Sequence, residues 1–197
     1  MDCNRKICLF GGSFDPVHAG HLHIAIAARE ECQLDKVFFL PAACSPFKQN
    51  SCAHFSDEQR MKMLRLATAD YDWAEVSGLD LELPPPSWSW RIVEHFRNIA
   101  PEATLYWLMG TDQWQALHRW ARYDYLAAEL RFIVYHRGTA PSPREGVCSC
   151  FISGHHPASS TRIREALQTN SPLPENWLPE QVEHYARACH NAHNDRT

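Results

Sequence analysis

Between the apolar run ICLF and the helix-period segment LHIAIAARE lies GGSFDPVHAGH, Gly11 to His21, with three glycines, a proline and two histidines in eleven residues. Gly11 and Gly12 lack a Cβ, so the backbone can turn there with positive φ and lay its N–H groups against a ligand oxygen. Gly20 would let the following helix pack close to a sheet, and that helix start would offer unpaired N–H groups and partial positive charge. His18 and His21, three residues apart on the first turn, would face the same anion, each donating one hydrogen bond when neutral. A lone GG or a lone H-x-x-H reads as an ordinary surface loop. The whole string, placed after a strand and before a helix with Pro16 fixing the loop, reads as a phosphate cradle.

Other residues have two readings from local sequence. SSTRIR puts Ser159, Ser160 and Thr161 at a helix start, where hydroxyls cap the helix or contact a polyphosphate, with Arg162 and Arg164 in the first turns. Asp112, in GTD after an apolar strand, accepts ribose hydroxyls or caps the segment DQWQALHRW. Lys48 reads locally as a solvated surface lysine. Trp120 is one of seven tryptophans, and its indole could stack on a flat electron-poor ring, whereas Trp107, inside a strand, reads as packing. Cys148, Cys150, His155 and His156 in CSCFISGHH bring thiols and imidazoles together, but the spacing departs from zinc fingers and knuckles, so no metal site is expected.

These groups need a scaffold that brings distant segments together. Apolar runs of strand length (ICLF, KVFFL, ATLYWLM, RFIVYH) alternate with helical patterns (LHIAIAAREEC, DEQRMKMLRLATA, WRIVEHFRNIA, STRIREALQ). Strands with little internal polarity imply a parallel sheet covered on both faces, an α/β fold of Rossmann-like, doubly wound type. Ligands of such sheets sit beyond the carboxyl ends of the strands. The stretches GGSFDPVHAGH, PAACSPFKQ, GTDQW and SSTRIR should therefore meet on one edge. GLDLELPPPSWSW alternates with period 2 before three prolines and is expected to be extended.

The 197 residues, 45% hydrophobic and 21% charged, fit one globular domain over residues 1–190, with 191–197 a polar frayed tail. No apolar run reaches membrane-spanning length and the N-terminus does not read as a signal peptide, so a cytoplasmic protein without membrane contact is expected. A formal net charge of -4 does not favour a nucleic-acid partner. Eight cysteines without a CxxC pair suit reduced thiols.

The motif GGSFDPVHAGHL resembles the signature of the H-x-G-H nucleotidyltransferase superfamily, and most closely that of bacterial nicotinate mononucleotide adenylyltransferases. The resemblance extends in order through LPAACSPFKQ, EQRMKMLRLA, MGTDQWQALHRW, FIVYHRG and SSTRIREAL. It implies adenylyl transfer from ATP to nicotinate mononucleotide, with Mg²⁺ accompanying the ATP. By the same resemblance His18, His21, Lys48 and Arg164 would be catalytic. Gly11, Gly12, Ser13, Phe14 and Gly20 would surround ATP, together with Gly110, Asp112, Ser159, Ser160 and Thr161. Ser89 and Trp120 would hold the pyridine substrate, Trp120 by stacking and Ser89 through its backbone amide.

Two positions depart from the family pattern. Phe47 stands where a histidine is common, and Arg91 stands where an acid is usual in the segment matching PSWSW. Rival readings are a relative acting on nicotinamide mononucleotide or phosphopantetheine, or a nucleotide-binding protein without catalysis. Neither the acceptor preference nor the oligomeric state, a homo-oligomer included, follows from the sequence.

Overall fold

The computed structural model describes residues 5–43, 53–84 and 86–194. In chain order the elements are β1 (Lys6–Gly12), α1 (Ala19–Cys32), β2 (Lys36–Pro41), α2 (Asp57–Thr68), β3 (Ala74–Val76), α3 (Leu79–Glu82) and α4 (Ser89–Ile99). There follow β4 (Thr104–Gly110), α5 (Thr111–Ala116), a 3₁₀ turn at Leu117–Arg119, α6 (Tyr123–Glu129), β5 (Arg131–His136), β6 (Ser149–Ser153), α7 (Ser160–Gln168) and α8 (Glu180–Asn194). Every strand pairing is parallel, and the sheet order is β3-β2-β1-β4-β5-β6. Chain order reverses between β1 and β4, so a crevice opens beyond their carboxyl ends.

The near-continuous apolar strands follow from burial on both faces. On one face Cys8, Phe10, Val37, Phe39, Leu108 and Ile133 pack against Leu22, Ala25 and Ala28 of α1, Met63, Leu64 and Ala67 of α2, Ile163 of α7 and Val182 of α8. On the other, Leu9, Leu40, Leu105, Trp107, Phe132 and Val134 meet Ile92, Val93 and Phe96 of α4, Trp114 of α5 and Leu126 of α6. Alternate residues of one strand thus enter different cores, which removes the polar positions a one-sided strand would show.

The sheet is the expected Rossmann-like one, and RFIVYH and STRIREALQ coincide with β5 and α7. GLDLE differs: instead of continuing extended, it forms the single turn α3. Ser77 Oγ accepts the Leu79 N–H, and the Gly78 carbonyl accepts those of Leu81 and Glu82. Local acceptors thereby close the turn, and Asp80, which alternation would direct outward, is only 3% exposed. β3 is three residues long, too short to display a period. α8 continues helically to Asn194, into the stretch expected to fray.

Candidate functional site

A cavity of about 520 Å³ lies at the β1/β4 switch point. Its wall takes in Gly11, Gly12, Ser13, Phe14 and His21 from the first junction, Arg60 from α2, and Ser160, Thr161 and Arg164 from α7. Asp80, Trp88, Ser89, Trp107 and Trp120 line it as well.

At the first junction the glycines make room for neighbouring rings rather than supply positive φ. Gly11 and Gly12 belong to β1 and are absent from the positive-φ residues, while Phe14 takes φ 44°. A Cβ on Gly11 would stand 3.1 Å from the Trp107 ring, and one on Gly12 would stand 3.1 Å from the Phe14 ring. Gly20 lies under the imidazole of His18, whose ring atoms would be 2.9 Å from an added Cβ. By contrast nothing approaches Gly110, which caps the start of α5.

The start of α1 is also less open than expected. The Ala19 N–H is taken by the Trp177 carbonyl at 2.9 Å and the His21 N–H by the His18 carbonyl at 2.8 Å. The imidazole that lines the cavity at this corner is that of His21, whereas His18 is not among the wall residues. The His18 backbone N–H donates to His21 Nδ1 at 3.2 Å. An imidazole nitrogen that accepts carries no proton, so neutral His21 holds its proton on Nε2 and presents that atom as a donor. The two rings stack with centroids 3.8 Å apart. Burial, followed by the charge of His18, pushes His21 well below the ordinary imidazole range. Burial, with the positive charges of His156 and Arg137, lowers His18 to about 4. Both rings are therefore neutral at pH 7.

Asp15 organises the opposite side. Its carboxylate accepts the His54 N–H at 2.8 Å and the Phe55 N–H at 2.9 Å. Arg164 Nη1 donates to the Asp15 carbonyl at 2.5 Å and lies 3.8 Å from the carboxylate. Arg162 instead packs over the Trp177 ring, because residues two apart on a helix face different ways. Ser160 Oγ donates to the Pro16 carbonyl at 3.0 Å, joining α7 to the first junction. Ser159 is the N-cap residue of α7 but makes no side-chain cap bond.

Arg60 was legible as a member of α2 but not as a site residue. It is 1% exposed, donating from Nη1 to the Ser13 carbonyl at 2.7 Å and from Nη2 to Asp57 at 2.6 Å. A cation on the buried stripe with Met63, Leu64 and Ala67 was the signal that could have found it. Asp15, Asp80, Trp88 and Gln113 are further wall residues without an assigned role in the sequence reading.

At the aromatic end Trp107 and Trp120 meet edge to face, centroids 5.7 Å apart. Trp107, read as packing, is indeed buried, yet it also forms part of the wall. Ser89 opens α4, whose N-cap is Trp88. Arg91 donates to the Pro84 carbonyl at 2.6 Å and sits over the Trp90 ring, outside the wall. Asp112 occupies the exposed first turn of α5 and is not its N-cap, while its neighbour Gln113 reaches the wall. Lys48 and Phe47 lie outside the described residues.

Among the described residues no group of three or more His, Cys, Asp or Glu side chains is placed to hold a metal ion. The wall carboxylates are Asp15, already engaged by two N–H groups, and Asp80. This donor set suits a Mg²⁺ ion that arrives on phosphate oxygens and keeps most of its waters, as Mg²⁺ commonly does.

The cytidylyltransferase-like family model matches residues 9–166. A protein of Methylacidiphilum infernorum described as a probable nicotinate-nucleotide adenylyltransferase is 37% identical over 185 residues, 92% of this chain and 89% of its own. One of Staphylococcus epidermidis with the same description is 34% identical, covering 93% and 95%. In fold, the Plasmodium falciparum nicotinic acid mononucleotide adenylyltransferase complexed with APC matches with TM-score 0.73 at 17% identity, covering 96% of this chain and 98% of that one. The same enzyme complexed with NaAD matches with TM-score 0.69 at 18% identity, covering 92% and 94%. The chain belongs to the nicotinate-nucleotide adenylyltransferase family, within the cytidylyltransferase-like proteins.

Proposed function

We propose that this enzyme transfers the adenylyl group of ATP to nicotinate mononucleotide, yielding nicotinate adenine dinucleotide and pyrophosphate, a step of NAD biosynthesis in the cytoplasm. The observation that carries the reading is one cavity lined by two chemically different sets of groups. The neutral imidazole of His21, the hydroxyls of Ser160 and Thr161 and the Arg164 guanidinium share its wall with an edge-to-face tryptophan pair. Polyphosphate suits the first set and a pyridine ring the second.

The attacking group is a phosphate oxygen of the mononucleotide. With a second pKa near 6, a phosphate monoester is already largely dianionic at neutral pH and needs no general base. Its oxygen bonds to the α-phosphorus of ATP as the bond from that phosphorus to the pyrophosphate oxygen breaks. The protein's task is to hold two anions in line and to stabilise the charge that moves onto the equatorial and leaving oxygens.

His21 suits this task through Nε2–H, a donor aimed by the bond at Nδ1. Its neutral ring gives a hydrogen bond without requiring a desolvated positive charge in the empty site. Arg164 supplies a fixed fork beside the hydroxyls of Ser160 and Thr161. His18 stacks on His21 and holds its plane. By family resemblance Lys48 contacts phosphate, Asp112 the ribose, Trp120 the pyridine face and the amide at Ser89 its carboxylate. Gly11, Gly12, Ser13, Phe14, Gly20, Gly110 and Ser159 complete the ATP side. Mg²⁺ bound to the triphosphate would neutralise charge on the leaving pyrophosphate.

A pyrophosphate-release assay with ATP and three acceptors tests the assignment. Release is expected with nicotinate mononucleotide in preference to its amide, and none with phosphopantetheine; release with phosphopantetheine alone would overturn the acceptor. Replacing His21 with alanine should lower kcat by about 100-fold or more, with KM for ATP changed only several-fold, since the lost bond strengthens as charge shifts. Turnover near that of the unsubstituted enzyme would remove His21 from the chemistry.

The neutral imidazoles also set a pH dependence of stability. In the unfolded chain His18 takes a proton as pH falls through 6.5, whereas in the folded chain it does so only near 4. The unfolded state therefore binds more protons between those values, and stability falls on acidification across that window, by on the order of 3 kcal/mol for this one group. Urea unfolding at pH 7 and pH 4.5 measures the loss, which His18→Gln should reduce.

A further inference from the structure

Away from the cavity, α1 ends at Cys32, and β6 begins one residue before Cys150. The two sulfur atoms are 3.3 Å apart although the residues are 118 positions apart in the chain. Both side chains are partly exposed and both thiols are free. A disulfide bond measures about 2.05 Å, so roughly 1.2 Å of approach separates the thiol pair from a bridge. The elements involved can supply it: Cys32 is the last residue of its helix, and among the described residues β6 is an edge strand paired only with β5. Cys8, by contrast, is fully buried in β1, and Cys148 is exposed just before β6.

We propose that Cys32 and Cys150 are a site of reversible oxidation, converted by a hydroperoxide such as hydrogen peroxide into a disulfide that staples the end of α1 to the edge of the sheet. The pair is asymmetric in a way that suits the chemistry. The hydrogen bond it shares with Cys150, aided by the positive charge of Lys6, lowers the pKa of Cys32. Lys6 Nζ itself donates to the Cys32 carbonyl at 3.0 Å. The same contact and burial push Cys150 up, so it keeps its proton. Cys32 is the nucleophile and Cys150 the resolving thiol.

Its thiolate attacks one peroxide oxygen, the O–O bond breaks, and the departing hydroxide is protonated to water, leaving a sulfenic acid at Cys32. The Cys150 sulfur then attacks the sulfenic sulfur as it loses its proton. The S–O bond breaks and the hydroxyl leaves as a second water. Two thiols are oxidised by two electrons in all, and one peroxide is reduced to two waters. A dithiol reverses the bond by exchange.

The bridge closes a loop of more than a hundred residues, which restricts the unfolded chain far more than a local link would. α1 runs from this pair back to His21, and β6 runs on toward Ser160, so both framing elements of the phosphate corner are tied at their far ends.

The test is graded hydrogen peroxide treatment of the intact protein, followed by mass measurement and a non-reducing peptide map. The expected result is loss of two hydrogen atoms, one cross-linked peptide joining Cys32 to Cys150, and a rise in Tm of roughly 10 °C reversed by dithiothreitol. Cys148→Ser should retain all three effects, and Cys150→Ser should lose them. A map joining Cys148 or Cys8 instead, a sulfinic acid at Cys32 without a bridge, or a bridged protein with unchanged Tm would overturn the proposal.

Discussion

One hydrogen bond sets what the His18–His21 corner can offer a ligand: the His18 backbone N–H donating to His21 Nδ1. It removes the choice of tautomer and places the proton of a neutral ring on Nε2. Burial then keeps the ring neutral, and His18 stacks on its face. A flexible histidine would have to be oriented each time a ligand bound, whereas this one is oriented when the protein folds.

The rest of the fold serves that geometry. Gly20 exists as glycine because the His18 ring fills the space of its Cβ. The His18 ring is held over α1, whose Leu22, Ala25 and Ala28 fix the helix on the sheet. Asp15, anchored by the His54 and Phe55 amides, brings Arg164 of α7 to the same corner, and Arg60 supports the Ser13 carbonyl from below. Arg164 lies beside the Asp15 carboxylate and Arg60 is paired with Asp57, so the positive charge at this corner is partly balanced and His21 adds a neutral donor to it. Such an arrangement suits a reaction between two anions, in which excess positive charge would hold product as firmly as it stabilises the transition state.

Much of this was legible in the sequence because the chemistry is concentrated in continuous motifs. The apolar strands, their alternation with helices and the gathering of GGSFDPVHAGH, GTDQW and SSTRIR around one cavity all follow from periodicity and parallel-sheet topology. The less legible parts are tertiary. Whether Gly11 and Gly12 turn or merely admit Trp107 and Phe14 depends on residues far away or on a ring folded back, neither visible in local pattern. Arg60 looks like a surface cation until the buried face of α2 is known. GLDLE alternates like a strand, but Ser77 and Gly78 close a turn before any neighbour can pair with it.

The most direct measurement of the central claim is the ¹⁵N chemical shift of the two His21 ring nitrogens, read by long-range ¹H–¹⁵N correlation between pH 5.5 and 8. The account predicts an unprotonated acceptor signal at Nδ1 and a protonated one at Nε2, unchanged across that range. A ring protonated on both nitrogens at pH 7, or on Nδ1 alone, would contradict it.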